Sequence, residues 1–181
     1  MTETKTEALA VRSETSIVTR SETGVDKSEW GDGPWQGEPD LIEWTSEAPP
    51  HFWCQVARSD FGNLCGYCAV PAGHPAHGWS RSTSDARFDV HGGITWSGPG
   101  VGGLWVLGFD CGHGNMDVQP ALDARMRDAM GRSQSDAMNA IDMGSDAFRV
   151  TYKDLAFVRA AVESLARQLA ALTPQLTEGQ P

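Results

Sequence analysis

The chain has 181 residues, a length that fits one domain with tails, and its 40% hydrophobic content is enough to form a core. No run approaches the roughly 20 apolar residues that a membrane-spanning helix needs. The formal net charge is −10, but residues 51–181 are nearly balanced, with thirteen acids and ten bases. They show no basic stripe, which excludes duplex nucleic acid as an expected partner and leaves a small anionic ligand compatible with the sequence.

The expected compartment is the cytoplasm. The N-terminal residues lack a basic stretch followed by an apolar one, so the sequence predicts no signal peptide. In a reducing cytosol, cysteines are more often free thiols or metal ligands than disulfides, and this expectation applies to Cys54, Cys65, Cys68 and Cys111.

The first part of the chain predicts an acidic leader ahead of a single domain. Residues 1–29 mix Thr, Ser and Glu with single apolar residues and show no period of 2 or 3.6, which predicts disorder. Trp30, Trp35 and Trp44 follow, and three tryptophans are rare in a disordered tail, so we expect order to begin near Trp30. The predicted organisation is a leader over 1–29, one α+β domain over 30–173 and a flexible tail over 174–181.

Four strands are predicted between residues 52 and 110. Residues 52–57 and 64–70 are short apolar runs separated by turn residues, which predicts a hairpin. Residues 88–96 form a third predicted strand with a bulge at Gly92 and Gly93, because glycine inside a strand often marks a bulge. Residues 104–110 are the most apolar run and are predicted as a central strand.

The remainder of the chain predicts helices. Residues 120–130 form a short helix that begins with proline, and residues 119–150 as a whole are predicted as a helical insertion. The last helix is predicted from an apolar stripe whose residues recur at steps of 3 and 4. This stripe favours core packing over a coiled-coil seam. Its members are Leu155, Val158, Val162, Leu165, Leu169 and Leu172. Arg159, Glu163 and Arg167 are expected to form ion pairs on another face, and Thr151 with Asp154 resembles a capping box. The predicted fold is α+β, with a small antiparallel sheet of about four strands and the C-terminal helix packed on one face.

The densest polar cluster follows the predicted central strand. Asp110, His113 and Asp117 lie within eight residues, and His91 belongs to the neighbouring predicted strand. Two imidazoles and two carboxylates suit Zn²⁺, Mn²⁺ or Fe²⁺, so all four residues are metal-ligand candidates. His91, Asp110 and His113 are also candidates for non-metal acid–base catalysis, and a binding or purely structural role stays open. We expect His91, Asp110 and His113 to converge on one pocket.

Further ligand-binding candidates lie in glycine-containing loops. His74 and His77 are three residues apart and could share a ligand, while Gly92 and Gly93 would let a ligand approach the backbone. Cys65 and Cys68 have CxxC spacing, but without a second pair we favour buried free thiols. Residues 98–103 satisfy GxGxxG by letter, but a strand follows them, so we predict a hairpin loop with no dinucleotide site.

Short motifs in a fixed order resemble a family of uncharacterised proteins common in bacteriophages and prophages, especially of actinobacterial hosts. They are Glu38-Pro39-Asp40, Leu64-Cys65-Gly66-Tyr67, Val70-Pro71, Gly73-His74-Pro75, His77-Gly78, Val90-His91-Gly92-Gly93-Ile94-Thr95, Gly108-Phe109-Asp110-Cys111-Gly112-His113 and Tyr152-Lys153-Asp154-Leu155. The resemblance covers roughly residues 38–118 and 150–170, and it departs at Gly114–Asp117, where the family often has Ala-Gly-Asp. It implies a phage or prophage origin and no particular activity.

Three functions remain open at this level. The first is a phage-type accessory protein that binds a small molecule, a nucleotide or metabolite, in the host cytoplasm. The second is a metal-dependent hydrolase that uses the His/Asp cluster. The third is a protein that blocks a host factor through the acidic leader and an exposed Trp30 and Trp35. Neither nucleic acid nor a membrane is an expected partner, and the sequence does not decide whether the protein is an enzyme or what its oligomeric state is.

Overall fold

A computed structural model describes residues 18–114, 116–130 and 150–172. Within these ranges six strands form one antiparallel sheet: β1 (Val18–Glu22), β2 (Leu41–Thr45), β3 (Trp53–Arg58), β4 (Leu64–Val70), β5 (Trp96–Pro99) and β6 (Trp105–Asp110). The spatial order is β1-β2-β3-β4-β6-β5. The described α-helices are α1 (Arg81–Asp85), α2 (Pro120–Met130) and α3 (Leu155–Leu172), and two short 3-10 helices cover Pro34–Gln36 and Val101–Gly103. The α+β class is as predicted, but the sheet has six strands, two more than expected.

The core lies between the middle of the sheet and α3. The predicted hairpin is confirmed as β3 and β4, and β6 is an interior strand between β4 and β5. Gly66 of β4 allows the close approach of helix and sheet, because a Cβ there would collide with Val162 of α3 and with Phe109 of β6. Val162 and Phe109 therefore lie on the same face of the sheet.

The apolar stripe of α3 is confirmed, because its four middle residues Val158, Val162, Leu165 and Leu169 are all buried. The prediction that Glu163 forms ion pairs with Arg159 and Arg167 is wrong, because Glu163 is buried. Its carboxylate accepts hydrogen bonds from the indole N–H of Trp44 at 2.6 Å and from the Glu47 backbone N–H at 3.1 Å. A buried carboxylate needs such donors, and here they come from β2 and the residues after it.

The start of α3 is capped differently from the predicted capping box. Asp154 Oδ1 accepts from the backbone N–H of Phe157 at 2.8 Å, and Glu38 Oε1 accepts from that of Leu155 at 2.8 Å. Thr151 takes no part in the cap and instead forms a parallel bridge with Asp117. Two carboxylates thus satisfy N–H groups in the first turn, where the helix dipole also favours negative charge.

The predicted disordered leader is wrong for residues 18–29. β1 pairs with β2, and Asp40 holds the following turn by accepting from the backbone N–H groups of Gly24 and Val25. Buried Lys27 completes the arrangement with an ion pair to Asp40 at 2.7 Å. The five residues of β1 are all exposed, so an edge strand held by its backbone leaves no apolar periodicity in the sequence. Residues 1–17 lie outside the described residues.

The third predicted strand, residues 88–96, is also wrong. β5 begins at Trp96, and residues 90–93 form a tight turn closed by the Gly93 N–H and the Val90 carbonyl at 3.1 Å. Gly92 and Gly93 have φ of 66° and 79°, which are incompatible with an extended strand.

The helix predicted over residues 120–130 is confirmed as α2. The rest of the predicted insertion, residues 131–149, and the predicted tail, residues 174–181, lie outside the described part of the chain. Among the helices that are described, none is long and apolar enough to cross a membrane.

Candidate metal centre

His91 is presented by the turn over residues 90–93. It precedes Gly92, whose positive φ reverses the chain, and Gly92 packs directly against the imidazole of His113. A side chain at position 92 would overlap that ring. The sequence therefore places a glycine where two histidines have to come together.

His113 and Asp117 are brought together by a single turn after β6. The backbone N–H of Asp117 donates to the His113 carbonyl at 2.8 Å, which puts the two side chains on one side of the turn. The carboxylate Oδ2 then accepts from the His113 backbone N–H and lies 3.0 Å from His113 Nδ1. A second contact fixes this loop, because Thr151 donates its N–H to the carbonyl of Met116 at 3.1 Å.

The three side chains form a compact cluster. His91 Nε2 lies 3.0 Å and 2.9 Å from the two carboxylate oxygens of Asp117, and one ligand atom from each residue lies within 4.8 Å of the others. The Asp117 side chain is 0% exposed, whereas those of His91 and His113 are 16% and 23% exposed. Burial alone would raise the pKa of Asp117, but the hydrogen bonds from His91 and His113 outweigh it and lower that pKa.

The cluster can exist in two chemical forms. When the facing ring nitrogens carry protons, it is a carboxylate that accepts from two imidazoles. When those nitrogens are deprotonated, two imidazole lone pairs and a carboxylate oxygen face one point. Ligand atoms about 2.1 Å from one ion are about 3.0–3.4 Å apart at octahedral or tetrahedral angles, close to the 2.9–3.0 Å seen between the carboxylate and the ring nitrogens. The carboxylate thus lies about as close to each ring nitrogen as two ligands of one ion lie to each other.

A buried polar network supports the segment next to the cluster. The Tyr152 hydroxyl donates to Glu38 Oε2 at 2.6 Å and accepts from Arg58 Nη1 at 2.8 Å. Arg58 also donates from Nε to Asp40 at 2.7 Å. Tyr152 is thus anchored to the sheet, which fixes Thr151 and Lys153 on either side of it. Sequence analysis missed this support, although Glu38, Asp40 and Tyr152 all lie in the motifs that carry the family resemblance.

Asp110 does not belong to the cluster, so its predicted convergence with His91 and His113 is wrong. It ends β6, and its Oδ1 accepts from the Gly112 N–H at 3.0 Å. It follows Phe109, which faces α3, so alternation along the strand directs Asp110 to the opposite face. Asp117, also a metal-ligand candidate, takes the central place.

His74 and His77 lie elsewhere and do not share a ligand position within the described residues. His74 is buried, with Nε2 3.1 Å from the carbonyl of Leu169, and burial lowers its pKa. His77 Nε2 lies 3.1 Å from the carbonyl of Gly103. Gly92 and Gly93 make room for the side chains of His113 and Asp85, so they shape the site from within.

The cysteines are free and buried, as the sequence predicts. Burial raises the pKa of the Cys65 thiol to about 11 and that of Cys68 well above its ordinary value. Both thiols therefore stay protonated at neutral pH, which disfavours redox or nucleophilic use. The glycine-rich segment after Gly98 is confirmed as the connection of the β5–β6 hairpin.

Two residues beside the cluster escaped sequence analysis. Lys153 Nζ lies 3.8 Å from Asp117 Oδ1, and the Phe157 ring meets that of His91 edge-on at a centroid distance of 5.5 Å. Phe157 is four residues from Lys153, so helical spacing could have linked them. Trp30 and Trp35, by contrast, are half-buried; Trp35 packs against Tyr152, and Arg58 lies over Trp30.

Comparison of the chain with protein-family models, with curated proteins and with solved structures finds no match.

Proposed function

We propose that this protein is a metal-dependent hydrolase whose single divalent ion is held by His91, His113 and Asp117. The observation that carries the proposal is the convergence of two imidazoles and one buried carboxylate, with ligand atoms within 4.8 Å of one another. Mixed nitrogen and oxygen donors of this kind suit Zn²⁺, Fe²⁺ or Mn²⁺.

The number of ligands supports a catalytic role over a structural one. Structural zinc sites are closed by four protein ligands, whereas catalytic sites have three and leave a position for water or substrate. Among residues 18–114, 116–130 and 150–172 the cluster has three, and both imidazoles reach solvent. A bound ion would supply Lewis acidity and a water with its pKa lowered to about 7. Asp117 would neutralise part of the ion's charge, and the His113 backbone N–H would hold that carboxylate in place.

The test is calorimetric titration of the purified full chain with Zn²⁺ and Mn²⁺. We expect one ion per chain for the wild type and loss of that binding in His91→Ala and His113→Ala. His77→Ala is the matched control, because its ring lies outside the cluster, and it should bind as the wild type does. Unchanged stoichiometry in His113→Ala would overturn the assignment. Hydrolysis of p-nitrophenyl acetate that depends on the added ion would then support the catalytic part.

Small-molecule binding is a second candidate, favoured by a cleft of about 440 Å³. Its lining includes Trp30 and, from α2, Arg125 and Arg127, with Asp26 and Asp128 beside them. The volume falls within the usual range for ligand sites, about 300–1,000 Å³. Adenosine monophosphate should then raise the melting temperature of the wild type but not of Arg127→Gln. No shift in either protein would count against this candidate.

The phage-family resemblance adds an accessory role in the host cytoplasm as the proposed setting.

A further inference from the structure

Three exposed apolar side chains, called the apolar rim here, lie on the chain segments that carry the proposed metal centre. They are Met116, Val150 and Phe157, which are 44%, 45% and 42% exposed. Phe157 contacts His91, and Met116 directly precedes Asp117. Val150 precedes Thr151, whose N–H donates to the Met116 carbonyl, so Met116 and Val150 are brought together by the bridge between their segments.

Lys153 places a positive charge at the same rim. Its Nζ lies 5.5 Å from the centre of the Phe157 ring and 3.8 Å from Asp117 Oδ1. One of its three N–H groups donates to Thr151 Oγ1 at 2.6 Å, and the distance to Asp117 exceeds that of a hydrogen bond. The ammonium therefore has donors to offer to a ligand that reaches the metal.

The local charge favours an anion. A divalent ion and Lys153 together carry three positive charges, and Asp117 within the cluster offsets one of them. The carboxylate of Asp154 accepts from the N–H of Phe157 at the start of α3 and keeps its negative charge, so one net positive charge remains. A ligand bound between the ion and Lys153 would be held by both positive groups, and its apolar part would lie against Phe157.

We propose that the site accepts a small organic oxyanion, a phosphate or carboxylate group joined to an apolar group. The oxyanion lies between the metal and Lys153, and the apolar group packs on Phe157 of the apolar rim. This inference rests on the metal-dependent function proposed above and adds the class of substrate.

The test uses non-hydrolysable probes and the zinc-loaded full chain. Phenylphosphonate and phenylacetate present the two oxyanions on the same ring, methylphosphonate lacks the ring, and benzyl alcohol lacks the charge. We expect at least one of the two aromatic oxyanions to bind roughly tenfold or more tightly than benzyl alcohol, the factor that one charged hydrogen bond commonly contributes. It should also bind more tightly than methylphosphonate, because only the aromatic probe buries an apolar ring. Which of the two binds more tightly identifies the oxyanion. Equal binding of all four probes would overturn the proposal.

Two variants separate the charge from the rim. Lys153→Gln should weaken binding of the preferred aromatic oxyanion about tenfold while the zinc stoichiometry stays at one. Phe157→Ala should reduce the preference for the ring and leave methylphosphonate binding unchanged. Arg20→Gln on β1 and Phe61→Ala in the β3–β4 turn are the matched controls for charge and for loss of an exposed ring. A chain that binds zinc but loses no affinity in Lys153→Gln overturns this inference alone, whereas a chain that binds no metal overturns the proposed function as well.

Discussion

Gly92 is not a metal ligand, but its replacement by alanine is expected to lower the affinity of the site for metal. Two effects add at this position. The backbone φ of 66° costs a non-glycine residue about 1–2 kcal/mol, and the new methyl group would overlap the His113 imidazole. His113 must then move, which breaks its 3.0 Å contact with Asp117. Changes in the shell that orients ligands typically lower metal affinity by about 10–100-fold, and we expect a loss in that range.

Gly78→Ala provides the matched control for this prediction. Gly78 has a φ of 84°, and a Cβ there would meet nothing within 4 Å. Gly78→Ala should therefore lose about 1–2 kcal/mol of unfolding free energy in urea and Gly92→Ala more than that, but only Gly92→Ala should lose zinc affinity in a chelator competition assay. Equal zinc affinities for the two variants would refute the placement of His113 against Gly92.

Three further predictions concern the scaffold. Glu163→Ala leaves the Trp44 indole N–H and the Glu47 N–H without their acceptor. It should lower the unfolding free energy measured by chemical denaturation by about 2–5 kcal/mol. A loss near zero would show that Glu163 is not the buried acceptor. Leu165→Ala should cost about 2–5 kcal/mol because its side chain is fully buried, and a negligible cost would mean that α3 does not pack on the sheet. Asp40→Asn should cost about 3–5 kcal/mol at neutral pH by removing the partner of Lys27 and Arg58. The difference between wild type and this variant should shrink as the pH falls below about 4, and a pH-independent difference would contradict the ion pair.

The sign of that pH dependence follows from the surroundings of Asp40. Burial would raise its pKa, but hydrogen bonds from Lys27, Val25, Gly24 and Arg58 lower it well below its ordinary value. A carboxylate with a lowered folded-state pKa contributes stability above its unfolded pKa, about 3.9, and loses it as the pH falls toward the folded value. Denaturant unfolding between pH 3 and pH 7 measures this directly.

Local sequence patterns predicted the parts of the fold that bury one regular face. The β3–β4 hairpin, β6 and α3 all came from runs or stripes of apolar residues whose burial the structure confirms. β1 gave no such pattern, because all its residues are exposed and backbone pairing with β2 holds it. Glu163 was misplaced for the opposite reason. Its charge suggested a surface face, and its buried partner Trp44 is 119 residues away in sequence.

The residues of the candidate site could be predicted from the sequence, but the contacts between them could not. His91, His113 and Asp117 stood out as polar residues in glycine-containing segments near predicted strands. The error at Asp110 came from treating residues 88–96 as a strand, because pairing with the next strand would then have brought His91 opposite it. The turn at Gly92 removes that pairing and directs His91 toward Asp117 instead. Lys153 joins the site beside the bridge between Asp117 and Thr151, and Phe157 joins it from α3 by contact with His91. Both contacts link segments that are far apart in the sequence.

X-ray absorption at the zinc edge of the zinc-loaded chain identifies the atoms that hold the ion. We expect nitrogen and oxygen ligands at about 2.0–2.1 Å, with the outer scattering of two imidazoles, and loss of one imidazole in His113→Ala. Sulfur at about 2.3 Å would place the ion on the cysteines, and a shell of oxygen alone would place it on surface carboxylates. Either result would contradict a centre built from His91, His113 and Asp117.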